Sequence, residues 1–376
     1  MADLPLPDSP RRGWFAPGWR NRLVASRPFQ RWAARFPLTR SHVRNEGTAI
    51  FDLVAGFATS QALRALIELR VLHLLRDEPL TAGDAAARLS LPPRRAEVLL
   101  RAGVAMGLLR LRRGRFVTAA RGAALLGVPG LEDMIRHHDV LYRDLADPTA
   151  FFRGETEPEL ASFWPYVFGA GGDVSPEDSA RYSRLMADSQ GLVAEDTLSQ
   201  VALSGIRCLM DVGGGTGVFL SHVARRAPDL KLMLLDLPPV LEAARESLSR
   251  QGLSQRVALH PGSFKTDSLP EGADAISLVR VLYDHDDAQV ADLLSKAHAA
   301  LPSGGRLIVS EPMTGGDRPH VAGDVYFALY CMAMGTGRAR SGAEIGALMG
   351  AAGFVDIRPG RAHRPFVTST ITAHRS

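Results

Sequence analysis

A glycine-rich loop is the feature of this sequence with the clearest chemical meaning. Asp211-Val-Gly-Gly-Gly-Thr-Gly217 follows an apolar run that predicts a strand and precedes a helical pattern. Gly213, Gly215 and Gly217 have no side chains, so a ligand can lie directly against their backbone. The spacing of these glycines differs from the dinucleotide-binding pattern, whose last gap is wider. The loop alone therefore predicts a nucleotide-like ligand without identifying it.

Two aspartates narrow the choice of ligand. Asp236 ends the next predicted strand, where a carboxylate can accept hydrogen bonds from both hydroxyls of an adenosyl ribose. Asp211 places a second negative charge at the end of the first strand, which attracts the sulfonium and amino groups of S-adenosylmethionine and repels a pyrophosphate. Either aspartate alone is also explained as a helix cap or a loop carboxylate. Together they predict S-adenosylmethionine as cofactor, with S-adenosylhomocysteine as its product, rather than NAD.

The glycine loop and the two aspartates lie in a region of predicted strands and helices that begins at residue 204. Strand-like and helical runs alternate, which is typical of an α/β fold with a Rossmann-like parallel sheet and helices on both faces. Residues 204–376 are therefore predicted to form the catalytic domain. The predicted strands are Ile206–Asp211, Lys231–Leu237, Val257–His260, Ala275–Leu282 and Arg306–Ser310, with Phe354–Arg358 and Phe366–Ala373 as late additions to the sheet.

Residues 48–127 are predicted to form a helical domain that ends in a short hairpin. Thr81 can cap a helix, and residues 109–117 alternate around a glycine, as the hairpin of a winged helix does. Winged helices often bind DNA, and this hairpin carries four arginines. The helix from Arg94 to Gly107 is largely apolar, however, which favours a packing or dimerisation module. No nucleic-acid partner is therefore expected.

Residues 128–203 are predicted to be a helical linker that contributes to the substrate cleft. The segment contains six aromatic residues within 18 positions. Such a concentration indicates a large apolar cleft, although packing between domains explains it equally well. The aromatic residues concerned are Phe151, Phe152, Phe163, Trp164, Tyr166 and Phe168.

The composition of the 376-residue chain is that of a globular protein, 46% apolar and 22% charged, and its net charge of +4 is too small to indicate nucleic-acid binding. Cys208 and Cys331 lack the short spacing of a metal or redox pair, so no metal site is expected. No uninterrupted apolar run reaches the roughly 18 residues of a membrane span, and the N-terminus lacks the apolar core of a signal peptide. We therefore expect a cytoplasmic protein.

The N-terminal arm, residues 1–47, concentrates the positive charge. Between Ser9 and Asn45 there are nine arginines and no acid, interleaved with tryptophan and phenylalanine. Arginine attracts anionic lipid, and indole rings prefer the boundary between water and hydrocarbon. One hypothesis is therefore peripheral contact with a membrane surface. The alternative is an arm that packs on its own domain or on a partner subunit.

Several segments resemble the plant-type small-molecule O-methyltransferase family, and the resemblance covers roughly residues 48–374. That family joins an N-terminal winged-helix dimerisation domain to a C-terminal Rossmann-like catalytic domain. The resemblance implies a homodimer in which each subunit helps to close the substrate pocket of its partner. The matching segments are Asp211–Gly217, Leu235–Pro238, Gly304–Ile308, Gly337–Ser341 and Ala352–Phe354.

Two further segments, residues 23–40 and Leu278–His285, are similar to the carotenoid O-methyltransferases of purple photosynthetic bacteria. The resemblance implies methylation of the tertiary C1 hydroxyl of an acyclic carotenoid of the hydroxyneurosporene or demethylspheroidene type. Such a substrate lies in the photosynthetic membrane. One alternative is methylation of another apolar pigment or polyketide, including carbon methylation of a bacteriochlorophyll precursor. A second is a non-enzymatic winged-helix regulator that senses S-adenosylmethionine.

The sequence departs from the plant-type family where proton removal is expected. Plant-type members carry a His-Asp pair after the fourth strand, whereas this chain has Tyr283-Asp284. His285 is a candidate base if the turn differs, and Tyr283 is a candidate for orienting the acceptor hydroxyl. The first flanking glutamate of the family matches Glu311, and the second is replaced by Ala339.

The resemblance also identifies residues expected to contact the adenine. Ser263 replaces the acidic residue of the family, and Phe264 beside it is expected to pack on the base. A tertiary alcohol is a very weak acid, so its proton should leave during or after methyl transfer. Alignment of the reacting atoms in a dry site would then supply much of the acceleration.

Overall fold

The computed structural model describes residues 18–162 and 189–376. They form two compact units, which divide between Val117 and Thr118. The start of the N-terminal arm and the predicted cleft residues Phe163, Trp164, Tyr166 and Phe168 lie outside the described residues. Of the remaining cleft residues, Phe151 is buried and Phe152 is largely exposed.

The first unit, as far as it is described, has helices followed by one hairpin, in the order predicted for residues 48–127. Thr81 caps its helix as predicted, because its side chain accepts a hydrogen bond from the Asp84 N–H. Leu66, Leu72, Leu100 and Leu109 are fully buried, so the helices pack on one another. The elements are α1 Trp19–Ala25, α2 Arg27–Arg35, α3 Arg40–Glu68, α4 Val71–Asp77, α5 Ala82–Arg88, α6 Pro93–Ala105, β1 Leu109–Arg112 and β2 Arg115–Thr118.

The long helix α3 presents an apolar stripe to the outside of its own chain. Ile50, Leu53, Val54 and Phe57 recur at helical spacing, and each is more than half exposed. Within the described residues, α3 alone has the length and the apolar composition of a helix that could cross a membrane. Asp52 interrupts the apolar run, which is why the sequence alone indicates no span. An exposed stripe of this size marks a surface for association.

The second unit contains a seven-stranded sheet with helices on both faces. Residues 189–200 are also helical, Leu282–Asp284 form a 3-10 turn and Val321–Phe327 form a π-helix. The helices are α7 Ala120–Leu126, α8 Leu131–Asp144, α9 Pro148–Arg153, α10 Glu159–Ser162, α11 Val218–Arg226, α12 Pro238–Arg250, α13 Asp287–Ala300, α14 Ala328–Met334 and α15 Gly342–Ala351. The strands are β3 Cys208–Val212, β4 Lys231–Asp236, β5 Val257–Pro261, β6 Ala275–Val279, β7 Arg306–Glu311, β8 Phe354–Pro359 and β9 Ser369–Arg375.

The strand order is β5-β4-β3-β6-β7-β9-β8. The first five strands are parallel, whereas β9 is antiparallel to both β7 and β8. Successive residues of β3 enter different cores, Leu209 on one face and Met210 on the other, because side chains alternate across a strand. The α/β fold predicted from the sequence is confirmed. The sheet is mixed, because its last two strands are antiparallel.

The predicted fourth strand is shorter than the sequence indicates. It ends at Val279 instead of Leu282, because Arg280 adopts a φ of +57°, in the left-handed region. The chain then turns into the segment Leu282–Asp284. Because β3, β4, β5 and β6 are parallel, their carboxyl ends and this turn meet at one edge of the sheet. The candidate site lies there.

Candidate active site

One hydrogen-bonded carboxylate joins the glycine loop to the neighbouring strand. The Gly215 N–H donates to Asp236 Oδ2 at 2.8 Å, and the Leu237 N–H donates to Asp236 Oδ1 at 2.8 Å. Burial raises the pKa of Asp236, and these two donors oppose that rise. Each carboxylate oxygen accepts one of these bonds and keeps capacity for another. Asp236 can therefore both fix the loop and receive a ligand hydroxyl.

Asp211 lies beneath the same loop. Its Oδ1 accepts a hydrogen bond from the Ser277 hydroxyl at 2.6 Å, whereas its buried Oδ2 has no partner. A Cβ at Gly214 would lie 2.3 Å from that oxygen, so the loop covers it closely. Burial raises the pKa of Asp211 to about 7, and the nearby Asp236 adds to the rise. Its charge is therefore costly without a nearby cation. Direct contact with a sulfonium or an amino group remains a prediction.

The backbone of the glycine loop is open to a ligand at Gly215. Gly213, Gly215 and Gly217 all have positive φ, at 69°, 59° and 78°. A Cβ at Gly215 would meet no atom within 4 Å, and one at Gly213 would lie 3.1 Å from Val281 and 3.7 Å from Phe264. The space beside the loop and the spare acceptors of Asp236 fit an adenosyl compound, and the buried Asp211 carboxyl on the far side of the loop favours a positive charge nearby.

Ser263 and Phe264 follow β5 at the same edge. The Ser263 N–H donates to Asp267 Oδ2 at 2.8 Å, which holds the backbone of this loop. The Phe264 ring meets the His285 ring edge-on, with 5.3 Å between the centroids. Burial, followed by the charge of Lys265, lowers the pKa of His285 to about 4. His285 is thus a neutral and weakly basic imidazole on the side of the site where the adenine is predicted.

Two charged side chains hold the turn that contains Tyr283 and Asp284. Glu311 Oε1 accepts hydrogen bonds from two successive N–H groups of the turn, at 2.8 and 2.7 Å. The fully buried Arg340 donates from Nη1 and Nη2 to two carbonyl oxygens of the same turn, both at 2.8 Å. A Cβ at Gly337 would lie 2.0 Å from another of these carbonyls. The backbone of the turn is therefore fixed from both sides.

The side chains of the turn form a buried polar group. Arg280 Nη2 donates to the Tyr283 hydroxyl at 3.3 Å, and the guanidinium lies 5.6 Å from the centre of the Tyr283 ring. Burial raises the pKa of Tyr283 well above its usual value. Burial and the nearby Glu311 likewise raise the pKa of Asp284, whose Oδ1 has no hydrogen-bond partner. Burial also raises the pKa of Glu311, to about 7.

Two histidine–tyrosine pairs lie in the same unit. His137 Nε2 and the Tyr330 hydroxyl are 3.0 Å apart, and His138 Nε2 and the Tyr326 hydroxyl are 2.7 Å apart. Tyr326 and Tyr330 both lie close enough to Arg280 for its charge to lower their pKa, against a larger rise from burial. These tyrosines therefore belong to the surroundings of the turn.

Comparisons with known proteins agree with this geometry. An O-methyltransferase domain matches residues 142–355, and an O-methyltransferase dimerisation domain matches residues 51–127. The chain belongs to the O-methyltransferase family. It is an enzyme dependent on S-adenosylmethionine, which makes the hypothesis of a non-enzymatic regulator wrong.

The similarity to individual proteins extends over almost the whole chain. Demethylspheroidene O-methyltransferase of Cereibacter sphaeroides is 58% identical, over 94% of this chain and 94% of its own length. The enzyme of the same name from Rhodobacter capsulatus is 50% identical, over 98% of this chain and 93% of its own. The structure of the S-adenosylmethionine-dependent methyltransferase SibL has a TM-score of 0.73 and 27% identity, over 87% of this chain and 98% of its own.

The sequence indicates the loop and the turn of this O-methyltransferase but not the contacts that hold them. Arg280 lies within the segment Leu278–His285 that resembles the carotenoid O-methyltransferases, yet nothing local indicates its positive φ or its contact with Tyr283. Arg340 lies in a motif that supported the family resemblance, yet its role in fixing the turn depends on contacts across more than 50 residues. A buried arginine can be recognised only once the tertiary structure is known.

Replacing Asp236 with alanine should weaken cofactor binding. The change removes an acceptor for the ribose hydroxyls and releases the Gly215 N–H. Each hydrogen bond to a charged group contributes about 1.5–3 kcal/mol, so the loss of the bonds from both ribose hydroxyls should raise the Kd for S-adenosylhomocysteine by at least about a hundredfold. Isothermal titration calorimetry measures this. Asp229→Ala, an exposed carboxylate before β4, is the control, and an unchanged Kd for Asp236→Ala would disprove the assignment.

Replacing Asp211 with asparagine should stabilise the cofactor-free protein at high pH. The pKa of Asp211 rises from 3.8 to about 7 on folding, so the folded state holds this proton more tightly than the unfolded chain does. Stability from this group is therefore present at low pH and is lost as the pH rises towards 7. We expect the melting temperature of Asp211→Asn to exceed that of the wild type by more at pH 8 than at pH 5.5.

Differential scanning fluorimetry at both pH values measures this difference. Asp229→Asn, which removes an exposed carboxylate, is expected to change the melting temperature equally at both. A variant that is less stable than the wild type at pH 8 would contradict the unpaired state of the Asp211 carboxylate.

Proposed function

We propose that this chain methylates the tertiary C1 hydroxyl of acyclic carotenoids of the hydroxyneurosporene and demethylspheroidene type. The observation that carries the proposal is the similarity to two demethylspheroidene O-methyltransferases over nearly the full length of all three chains. The largely apolar surroundings of Tyr283 support it, because the buried side chains of Cys331 and Ala339 pack with Tyr283, and Phe327 packs against them. An unpaired charge is costly to bury in such surroundings, so they suit an apolar acceptor better than a small charged one.

The enzyme acts as a homodimer in this proposal. Its dimerisation domain includes most of the exposed stripe on α3, and a second copy of the chain would bury Ile50, Leu53, Val54 and Phe57. Burying such side chains stabilises an interface by about 25 cal/mol for each Å² of apolar surface. Sequence similarity to the dimerisation domain supports this assembly.

The cofactor would be held at the carboxyl ends of β3, β4 and β5. Asp236 would accept the ribose hydroxyls, the glycines would contact the adenosyl group, and Phe264 would pack on the adenine beside Ser263. Asp211 would supply negative charge beneath the loop. When bound there, S-adenosylmethionine supplies an electrophilic methyl group.

Tyr283 is suited to orienting the acceptor and not to removing its proton. Its raised pKa keeps the phenol protonated near neutral pH, and one lone pair of its oxygen receives the hydrogen bond from Arg280. The Tyr283 side chain favours the charged form of the neighbouring Asp284 carboxyl, against a larger rise in its pKa from burial. Arg280, Tyr283 and Asp284 thus form a buried polar group, against which an alcohol would be aligned in this proposal.

Asp284 is the group in this proposal that receives the proton. Its Oδ1 is buried without a partner, and burial, followed by the charge of Glu311, raises the pKa of Asp284, so its carboxylate is a stronger base than an exposed one. His285 is less suitable, because its ring lies edge-on against Phe264, on the side of the site where the adenine is predicted. Proton transfer follows or accompanies methyl transfer, so the acceptor of the proton need not be strong enough to deprotonate the free alcohol.

Substitutions in the turn should separate these roles. We expect Tyr283→Phe and His285→Ala to retain measurable turnover, because neither removes the proton acceptor. Asp284→Asn should lower kcat by about a hundredfold or more, within the usual contribution of a general base. Wild-type activity should fall as the pH falls through the raised carboxyl pKa, and Asp284→Asn should lack this dependence. Steady-state kinetics at saturating S-adenosylmethionine measure both effects.

Total inactivity of His285→Ala with normal cofactor binding would instead identify His285 as the base. Asp286→Asn is a useful control for Asp284→Asn, since its carboxylate caps α13 and lies two residues away. It should change melting temperature more than kcat.

The substrate assignment is tested with the purified full-length enzyme and isotopically labelled S-adenosylmethionine. We expect label in a methoxy product when 1-hydroxyneurosporene is supplied in detergent micelles, detected by chromatography and mass spectrometry. Neurosporene, which lacks the hydroxyl, is the matched control and should remain unlabelled. Failure to label the hydroxycarotenoid, with labelling of a bacteriochlorophyll precursor or a polyketide phenol instead, would overturn the assignment.

A further inference from the structure

The described part of the N-terminal arm, residues 18–47, has a charge that the rest of the molecule does not share. It contains seven arginines and one acid, Glu46, whereas the whole chain has a net charge of only +4. The match to the dimerisation domain begins at residue 51, after the arm. Neither the catalytic domain nor the dimerisation domain therefore accounts for these residues.

The arginines of α2 form a row along one side of the helix. Arg27, Arg31 and Arg35 are spaced four residues apart and are all exposed. Residues at this spacing lie above one another on a helix, about 6 Å apart along its axis. The row is a linear cationic surface without a carboxylate in its own helix.

Large apolar side chains flank this row. The rings of Trp32 and Phe36 stack with 4.9 Å between centroids, and Phe29 lies 5.6 Å from Trp32. These rings are not enclosed, because Trp32 is 52% exposed and Leu38, just after the helix, is 82% exposed. Ala33 is buried and anchors the helix. The exposed surface of α2 therefore combines fixed aromatic rings with guanidinium groups.

This combination matches the surface of a membrane that contains anionic lipids. Guanidinium groups bind headgroup phosphates, and tryptophan and phenylalanine rings enter the boundary between headgroups and hydrocarbon. A soluble acidic protein would satisfy the arginines but not the exposed rings. Duplex DNA would likewise leave the stacked apolar rings without a partner.

The enzyme also has a reason to be at a membrane, which rests on the proposed function. An acyclic carotenoid dissolves in the hydrocarbon of a bilayer and not in water. An enzyme held at the bilayer surface meets this substrate without waiting for it to enter water. The charge and the exposed rings of the arm are features of the structure, whichever substrate the enzyme methylates.

We propose that α2 and the residues just after it dock this enzyme on bilayers that contain anionic lipids. Arg27, Arg31 and Arg35 contact the headgroup phosphates, and Trp32, Phe36 and Leu38 enter the interface. The contact is peripheral, because α2 has nine residues and is too short to cross a bilayer.

Co-sedimentation of the full-length protein with vesicles tests the docking surface. The vesicles contain either phosphatidylcholine alone or phosphatidylcholine with phosphatidylglycerol. We expect binding to the second kind only, weakened by salt. The triple variant R27Q/R31Q/R35Q should bind on the order of a hundredfold more weakly, since each arginine near an anionic surface contributes about 1 kcal/mol. The control R225Q/R226Q/R250Q removes three exposed arginines from the catalytic domain and should bind like the wild type.

The variant W32S/F36S provides a second measurement. It should reduce vesicle binding and, to the same extent, the blue shift of tryptophan fluorescence that vesicles induce in the wild type. Equal binding to both kinds of vesicle, or equal loss in the control triple variant, would overturn the proposal. Sedimentation velocity of the free R27Q/R31Q/R35Q protein is expected to show an unchanged mass, and dissociation into monomers would assign the arm to the subunit interface instead.

The outcome is separable from that of the proposed function. Vesicle binding needs no carotenoid, so it can succeed even if hydroxycarotenoids are not methylated. If methylation occurs in detergent micelles but the protein ignores anionic vesicles, the docking surface is wrong and the function stands. With both correct, R27Q/R31Q/R35Q loses turnover on substrate in anionic vesicles and keeps it within about twofold in micelles.

Discussion

The hydrogen bond from the Gly215 N–H to the Asp236 carboxylate is the contact on which the cofactor site depends. It fixes the glycine loop after β3 against the end of β4, at a distance of 2.8 Å. Gly215 has a positive φ, which glycine adopts without strain and which accompanies the direction of its N–H towards Asp236. Because Gly215 has no side chain, the space beside it is open. Asp211 beneath the loop adds negative charge that burial makes costly, and a cationic ligand would relieve that cost.

The proposed acceptor side of the site depends on a different constraint, a short turn whose backbone is held from both directions. Glu311 receives its N–H groups and Arg340 donates to its carbonyls, so the backbone around Tyr283 and Asp284 has little freedom. Such positioning matters when the acceptor is a weakly acidic alcohol, because alignment contributes more than a base does. In the proposed mechanism, this positioning takes over much of the part that the resemblance assigns to the histidine of the wider family.

The sequence predicts local features of this molecule better than long-range ones. The strands containing Met210, Leu234 and Ile276 are recognisable because buried parallel strands are continuous apolar runs. The insertion of β9 between β7 and β8 is not recognisable, since strand pairing across the sheet has no local signature. Likewise, Asp236 is predictable from its place at a strand end, whereas the φ of +57° at Arg280 follows from tertiary contacts. The membrane-docking surface depends on exposure, which a sequence does not show.

We infer that Asp236 and the glycine loop together form the binding site for the adenosyl group. A crystal structure of the protein with S-adenosylhomocysteine would show where the ribose binds. We expect both ribose hydroxyls within about 3.2 Å of the Asp236 carboxylate oxygens, with the Gly215 N–H still bonded to the same side chain. A ribose bound elsewhere, or an Asp236 side chain turned away from the ligand, would contradict it.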